Sequence, residues 1–212
     1  MTVTEISEYK KGKYKIYLND EFAFVLYSSD IKKYRIEPMG ELSEHLIEDI
    51  KENVLKKRCR AYAMNILKKQ DKTVRDLKLK LKDALYTEEI AQDAIDYVRG
   101  YNYVDDVRYS ENYIRSVCER SGIPEIKRKL MAKGVSGEDI ERAVNNCYEE
   151  GILNDEKGNE IIRKLLLKKL RSEGENFCKD RERILASVCR KGFSVKDAES
   201  VYDTLCEELY HL

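Results

Sequence analysis

Two adjacent carboxylates, Asp105 and Asp106, stand behind an aromatic in the stretch Tyr103-Val104-Asp105-Asp106. This is the spacing in the chain that most invites catalysis. A Tyr-x-Asp-Asp pair can hold a divalent metal for phosphoryl transfer, as it does in template-copying polymerases. There the pair sits on a hairpin between two strands. Here the residues that follow (Val107, Ser110, Tyr113, Ile114, Val117 and Cys118) repeat at helical spacing. The pair therefore lies between two helices. No third carboxylate or phosphate-handling partner accompanies it. An aspartate at a helix start accepts backbone N–H bonds and faces the positive end of the helix dipole. Asp105, Asp106 and, in a second copy of the pattern, Asp155 are therefore expected to act as structural helix caps. Tyr103 and Leu153 are expected to tuck into the core just before those helices.

Other catalytic patterns are missing from the sequence. There is no G-x-x-x-x-G-K-[ST] and no G-x-G-x-x-G to cradle phosphate. Neither His45 nor His211 has a nucleophile or orienting partner nearby in sequence. The cysteines at 59, 118, 147, 178, 189 and 206 form no C-x-x-C pair, and two histidines are too few to complete a zinc set. Small buried hydrophobes in a reducing compartment are the reading for Cys118, Cys147 and Cys206, which fall on apolar helical faces. The expectation is a protein that is not an enzyme and carries no cofactor and no metal.

The 212 residues hold 40 basic and 40 acidic side chains, with 38% charged overall. No apolar run approaches the roughly 18 residues that span a bilayer. The opening MTVTEISEYK lacks the apolar core of a signal peptide. A cytoplasmic protein with no membrane partner is expected. Charge is unevenly spread, at −3 over 1–55, +7 over 56–133 and −4 over 134–212. Most of the excess lies in 56–82, which has 11 basic and 2 acidic residues. A basic segment between acidic flanks invites a polyanion, although a solvated helix face needs charge as well.

These residues must be positioned by an N-terminal β region and a long helical remainder. KYKIYLNDEFAFVLY (13–27) alternates with period two on either side of Asn19-Asp20 and reads as a β-hairpin. VTEISEY (3–9) can add a third strand across the turn Lys10-Lys11-Gly12. Ser28 or Ser29 is placed to cap a short helix over 30–36, and Pro38 with Gly40 breaks the chain again. A long helical pattern then runs from 43 to 69, with an interruption near 55.

Repetition follows. Residues 74–106 match 123–155 through the pairs Leu77–Ile126, Leu81–Leu130, Ile90–Ile140, Ala94–Val144 and Val98–Tyr148. A third copy, 178–209, places Ile184, Val188, Ala198, Val201 and Leu205 at matching positions, and Lys191-Gly192-Phe193 matches Lys133-Gly134-Val135. With one more helix each from 59–69, 107–120 and 158–171, the unit is a three-helix repeat. No such unit buries much alone, so neighbours must stack. The expected fold is mainly α, with tandem three-helix repeats stacked into an elongated curved array and a small N-terminal β-hairpin or meander. Its parts are 1–55 (hairpin and short helix), 56–106, 107–155 and 156–212 (three repeats).

The run Tyr103-Val104-Asp105-Asp106-Val107-Arg108-Tyr109-Ser110 and the turn Leu130-Met131-Ala132-Lys133-Gly134, set in three-helix repeats, resemble the RecX family of bacterial recombinase regulators. The resemblance covers about 56–212, and the hairpin extension resembles that of longer members. The second copy departs from the pattern, with Asn154-Asp155 in place of two aspartates. The third is displaced by the longer linker 172–180. The resemblance implies a non-enzymatic modulator of RecA that binds the RecA–DNA filament along its groove and restrains ATPase, strand exchange and coprotease activity. It implies a monomer with RecA filament as partner and weak, sequence-indifferent binding of single- or double-stranded DNA.

On this reading the contact candidates are Arg58, Arg60, Lys68, Lys69, Arg75, Lys78 and Lys82 in the first repeat, with Lys127, Lys129 and Lys133 in the second. Two other classes stay open. One is a general nucleic-acid-binding helical protein with no dedicated recombinase partner. The other is a magnesium-dependent enzyme using Asp105 and Asp106. Among the fifteen tyrosines, Tyr62 and Tyr101 are compatible with base stacking, but the pattern singles out neither.

Overall fold

The computed structural model describes residues 1–173, Phe177 and 180–210. The chain forms two compact units, Met1–Asp105 and Asp106–Leu212. The architecture is mainly helical, with a three-stranded antiparallel sheet at the N-terminus.

In the first unit, β1 (Val3–Lys10), β2 (Lys13–Leu18) and β3 (Glu21–Tyr27) form a meander in the order β1-β2-β3. The β2–β3 turn uses Asn19 and Asp20, both at positive φ (49° and 69°). Two left-handed residues match the right-handed twist of the strands they join. Ile16, Leu18, Phe24 and Leu26 point into the core, as the period-two alternation requires.

Helix α1 (Ser28–Lys33) begins two residues before the expected 30–36 segment. Neither Ser28 nor Ser29 caps it. Tyr27 holds the N-cap position, and the Asp30 carboxylate accepts from the Tyr27 N–H at 2.9 Å. A long helix then runs as α2 (Glu44–Ile50), a π-helical stretch (Lys51–Lys56) and α3 (Lys57–Lys69). The π turn is the interruption that the sequence places near 55. Helices α4 (Val74–Asp83) and α5 (Glu88–Gly100) complete this unit, and α3 packs on α5. One core runs from Val3 through Ile50, Cys59, Leu77 and Ile95 to Val104.

The second unit holds α6 (Asp106–Val117), α7 (Ile123–Ala132) and α8 (Gly137–Glu149), then α9 (Asp155–Glu173), α10 (Arg181–Cys189) and α11 (Val195–Tyr210). The first three enclose a core around Ile114, Ile126, Leu130 and Ile140. The last three enclose another around Leu166, Phe177, Ile184 and Tyr202. The phenolic Tyr202 Oη donates to the Phe177 carbonyl at 2.9 Å.

In α5 and α8 the repeat register differs by one residue from the sequence alignment, while the Leu77–Ile126 and Leu81–Leu130 pairs stand. Val98 corresponds to Cys147, because both are fully buried, whereas Tyr148 is exposed. The offset is a constant 49 residues, running also from Ala94 to Ala143 and from Val104 to Leu153. It follows that Val104, at 4% exposure, fills the core before α6, and Tyr103 is 48% exposed. The expected burial of Tyr103 is thereby corrected, while Leu153 is buried as expected. The same offset aligns the turns after α4 and α7, where Leu85 (φ 65°) and Gly134 (φ 82°) take the left-handed conformation that ends the helix. Gly192 (φ 87°) does so after α10.

Candidate polyanion interface

The aspartate pair lies at the start of a helix. Helix α6 starts at Asp106, with Asp105 immediately before it. Four residues on, Ser110 is fully buried, and its hydroxyl donates to the Asp106 carbonyl at 2.7 Å. The small residue of the motif thus lets α6 pack closely on α8. At the corresponding start of α9, the Asn154 Oδ1 accepts from the Lys157 N–H at 3.1 Å. Asn154 therefore caps α9; the side chain of Asp155, which the sequence nominates, lies outside the described residues. No group of three or more His, Cys, Asp or Glu side chains is arranged to hold a metal ion among the described residues.

The cysteines are equally quiet. Cys59, Cys118, Cys147, Cys189 and Cys206 are free thiols, and Cys178 lies outside the described residues. Burial pushes the Cys59 thiol up to about 12 and also raises Cys147. Neither is a thiolate at neutral pH.

The basic candidates fall into distinct environments. Arg58 on α3 makes a two-pronged pair with Asp30 of α1, one prong at 2.8 Å. Its guanidinium also lies 4.2 Å from the centroid of the Tyr27 ring. Burial would raise the pKa of Asp30, but the Arg58 and Tyr27 hydrogen bonds outweigh it and hold the carboxylate below its ordinary value. Arg60 is likewise bidentate to Asp93 on α5, with both bonds at 2.7 Å, and stacks 5.0 Å from Tyr97. Its hydrogen bonds depress Asp93. Such forks fix helices against each other, and withdrawing either arginine leaves a partly buried carboxylate behind.

The lysines are held more loosely. Lys78 and Lys82 share Glu88 at the start of α5, the latter at 2.9 Å. Lys127 meets Glu141 at 2.6 Å, tying α7 to α8. Lys129 approaches Glu125 at 3.3 Å, beside the Arg128 fork at 2.7 Å. Hydrogen bonds from Arg128, with help from Lys129, pull Glu125 down to about 2. Lys133 Nζ lies 5.9 Å from the Tyr109 ring. Arg75 is exposed. Lys68 and Lys69, at the end of α3, are exposed and make no ion pair among the described residues. Of the stacking candidates, Tyr101 lies in a row of rings, 4.9 Å from Tyr97 and 6.1 Å from Tyr103. Tyr62 lies 6.2 Å from Tyr86.

Tyr62 also lines a cleft of about 480 Å³ in the first unit. The cleft collects Lys10, Lys13 and Lys80, which sequence reasoning does not single out. Each sits on a different element, so no linear pattern joins them. No described helix is long and apolar enough to cross a membrane.

Known proteins resemble the chain along nearly all of its length. The family model for RecX, second three-helix domain, matches residues 105–144. A regulatory protein RecX from Leuconostoc mesenteroides is 31% identical over 211 residues, covering 97% of this chain and 76% of that protein. A regulatory protein RecX from Clostridium tetani is 27% identical over 209 residues, covering 97% and 94%. A crystal structure of regulatory protein RecX aligns with a TM-score of 0.63 at 26% identity, covering 95% of this chain and 98% of that one.

Proposed function

Because the chain belongs to the RecX family of regulatory proteins, we propose that it is a non-enzymatic regulator of the RecA recombinase in DNA repair. It acts on the RecA–DNA filament and restrains ATP hydrolysis, strand exchange and coprotease activity. The observation that carries this reading is the likeness to a protein named as a regulator over 97% of the chain. The placement of Asp105 and Asp106 at a helix start supports a structural use for the pair.

The contact surface follows from the ion pairs. Arg58 and Arg60 hold helices together and are costly to release. Lys68 and Lys69 offer charge without giving up a fork. Lys78, Lys82, Lys127, Lys129 and Lys133 can turn to phosphate by exchanging one solvated contact for another, at about 1 kcal/mol or less each. The three-helix sets are proposed as the modules that meet the filament.

The test is the single-stranded-DNA-dependent ATPase of RecA, with this protein at substoichiometric amounts. Inhibition well below one molecule per recombinase supports filament-level regulation. Inhibition should weaken in the Lys68→Glu/Lys69→Glu variant at unchanged helicity; full inhibition by that variant removes these lysines from the interface. No effect on RecA at any ratio, with binding to bare DNA intact, favours the general nucleic-acid-binding reading, which the basic excess of 56–82 also supports.

A further inference from the structure

The second and third three-helix sets keep separate cores, one around Ile114, Leu130 and Ile140 and the other around Leu166, Ile184 and Tyr202. Their ion pairs are internal as well, with Arg115 reaching Glu150 and Arg163 reaching Glu208. Among the described residues, one hydrogen bond crosses from α6–α8 to α9–α11. The Gly122 N–H, in the α6–α7 turn, donates to the Lys191 carbonyl of the α10–α11 turn at 2.7 Å. The same two turns meet backbone to backbone. A Cβ on Gly122 would lie 2.2 Å from the Gly192 carbonyl oxygen, and one on Gly192 would lie 2.6 Å from the Glu125 nitrogen.

The other link is the chain itself. Through Leu153 it is tied back to α8. The Gly151 N–H donates to the Tyr148 carbonyl at 3.0 Å, and the Ile152 and Leu153 N–H groups donate to that of Cys147 at 2.9 and 3.0 Å. Leu153 is buried in the second core. From Asn154 onward the chain belongs to α9, because the Asn154 side chain accepts from the Lys157 N–H at 3.1 Å. The torsions free to turn one set against the other are those of the Leu153–Asn154 junction, where Asn154 is exposed. Lys157 Nζ spans the junction to the Gly151 carbonyl at 2.7 Å, but an ammonium on a flexible stem follows a rotation. A cleft of about 830 Å³ extends from this junction to the glycine contact, lined by Pro124, Tyr148, Ile152, Ile161 and Phe193. The sets therefore touch at the two ends and are not interdigitated between them. A shared core would resist rotation; one junction and one backbone contact do not.

We infer that the Gly122–Gly192 contact is a latch and the Leu153–Asn154 junction a hinge, on which the third set swings as a rigid body when the latch opens. The open state is the minor one, on the order of 0.1–10% of molecules. Opening gives up the crossing hydrogen bond and wets the apolar lining of the cleft. It changes the angle between successive sets with neither unfolded, and small rotations of this kind set the curvature of a stacked array. The device goes beyond the regulator reading, and its test needs no recombinase.

The experiment is double electron–electron resonance on the full chain. Spin labels are carried on p-acetylphenylalanine, so that the native cysteines stay unlabelled. One pair replaces Arg142 on α8 and Lys196 on α11 and reads across the sets. A control pair replaces Lys164 on α9 and Lys196 and reads within the third set; all three positions are exposed. The parent should give one narrow distance for each pair. Gly122→Ala, which forces the turns apart, should widen the cross-set distribution about twofold and leave the control pair unchanged. In the parent, the Gly122 amide should exchange about tenfold or more faster than those of Leu130 and Val188, because opening alone frees it while unfolding must free them. Circular dichroism checks that Gly122→Ala keeps its helices; if it does not, amide exchange in the parent decides. A parental cross-set distribution in Gly122→Ala, a control pair that widens equally, or a Gly122 amide as slow as the core amides each overturns the assignment. A failure here leaves inhibition of the RecA ATPase to be judged on its own assay.

Discussion

Replacing Gly122 with alanine tests whether the second and third three-helix sets are joined by a backbone contact that tolerates no side chain. Gly122 is the N-cap of α7 at φ −72° and ψ 160°, a conformation any residue adopts. The constraint is therefore not its own backbone. A Cβ there would lie 2.2 Å from the Gly192 carbonyl oxygen and 2.5 Å from its carbon. Ordinary carbon–oxygen approach is about 3.3 Å, so the α10–α11 turn must retreat by roughly 1 Å. That retreat stretches the Gly122 N–H bond to the Lys191 carbonyl, now 2.7 Å. The turn has little room to rotate instead, because a Cβ on Gly192 would meet the Glu125 backbone nitrogen at 2.6 Å. Overpacking of this kind costs about 1–3 kcal/mol and the lost hydrogen bond about 1, offset by about 0.5 from a stiffer unfolded chain. The expected net loss is roughly 2–3 kcal/mol. Urea unfolding followed by circular dichroism reads it, with amide exchange locating it at residues 122–126 and 189–193. Two controls frame the result. Gly137→Ala, in the first turn of α8 with open space around its Cβ, should be neutral or slightly stabilising. Gly151→Ala, at φ 69° with equally open space, should cost only the left-handed strain of about 1 kcal/mol. A Gly122→Ala protein as stable as Gly137→Ala would refute the argument.

Three further outcomes follow from the ion pairs and the core. Arg58→Ala leaves Asp30, which is nearly buried, without its fork. Arg58 itself is 32% exposed, so the cost should be about 2 kcal/mol rather than the larger value of a fully buried pair, with exchange quickening first in α1; slower or unchanged α1 exchange contradicts this. Acid should act on the depressed carboxylates only below the ordinary carboxylate range. Their stabilisation is complete above the ordinary carboxylate range and is lost as pH falls through the folded-state values. Asp30 should thus titrate below 3.8 and Glu125 near 2 in a carbon-detected NMR titration; an Asp30 midpoint at or above 3.8 would show that the Arg58 fork is absent in solution. Site-resolved thiol labelling should find Cys59 unreactive in the folded protein, with a thiol held near 12, while Cys118 reacts faster.

Local order is what the sequence reveals best. The Asn19-Asp20 turn and the alternating Tyr14, Ile16 and Leu18 place the meander, because a strand's period and a two-residue turn are both short-range signals. The helices and the three-fold repetition are legible for the same reason. The repeat register is not. Cys147 and Tyr148 are adjacent and both apolar, and a period of 3.6 cannot decide which faces inward at the edge of a stripe. The same ambiguity exchanges Tyr103 with Val104. Burial settles both, since a tyrosine can keep its hydroxyl in water while a valine cannot use water at all. The candidate cations are legible as a charged segment, but their partners are not. Asp30 precedes Arg58 by 28 residues and Asp93 follows Arg60 by 33. Such pairs exist only once α1, α3 and α5 are in place.

Those pairs divide the basic residues by chemistry. In each three-helix set an arginine of the first helix reaches a carboxylate of the third: Arg60 to Asp93, Arg115 to Glu150 and Arg163 to Glu208. The three arginines do not occupy equivalent repeat positions, so the recurrence belongs to the packing problem and not to copied sequence. Arg60 and Arg163 do so with planar forks, in which two parallel bonds fix the rotation of one helix against another, where an ammonium would fix only a distance. The arginines are thereby committed to holding the sets together, and the lysines carry the charge that remains for a partner. Lysine meets phosphate as a point charge on a flexible stem. An interface built from Lys68 and Lys69 would therefore depend steeply on salt and weakly on base identity.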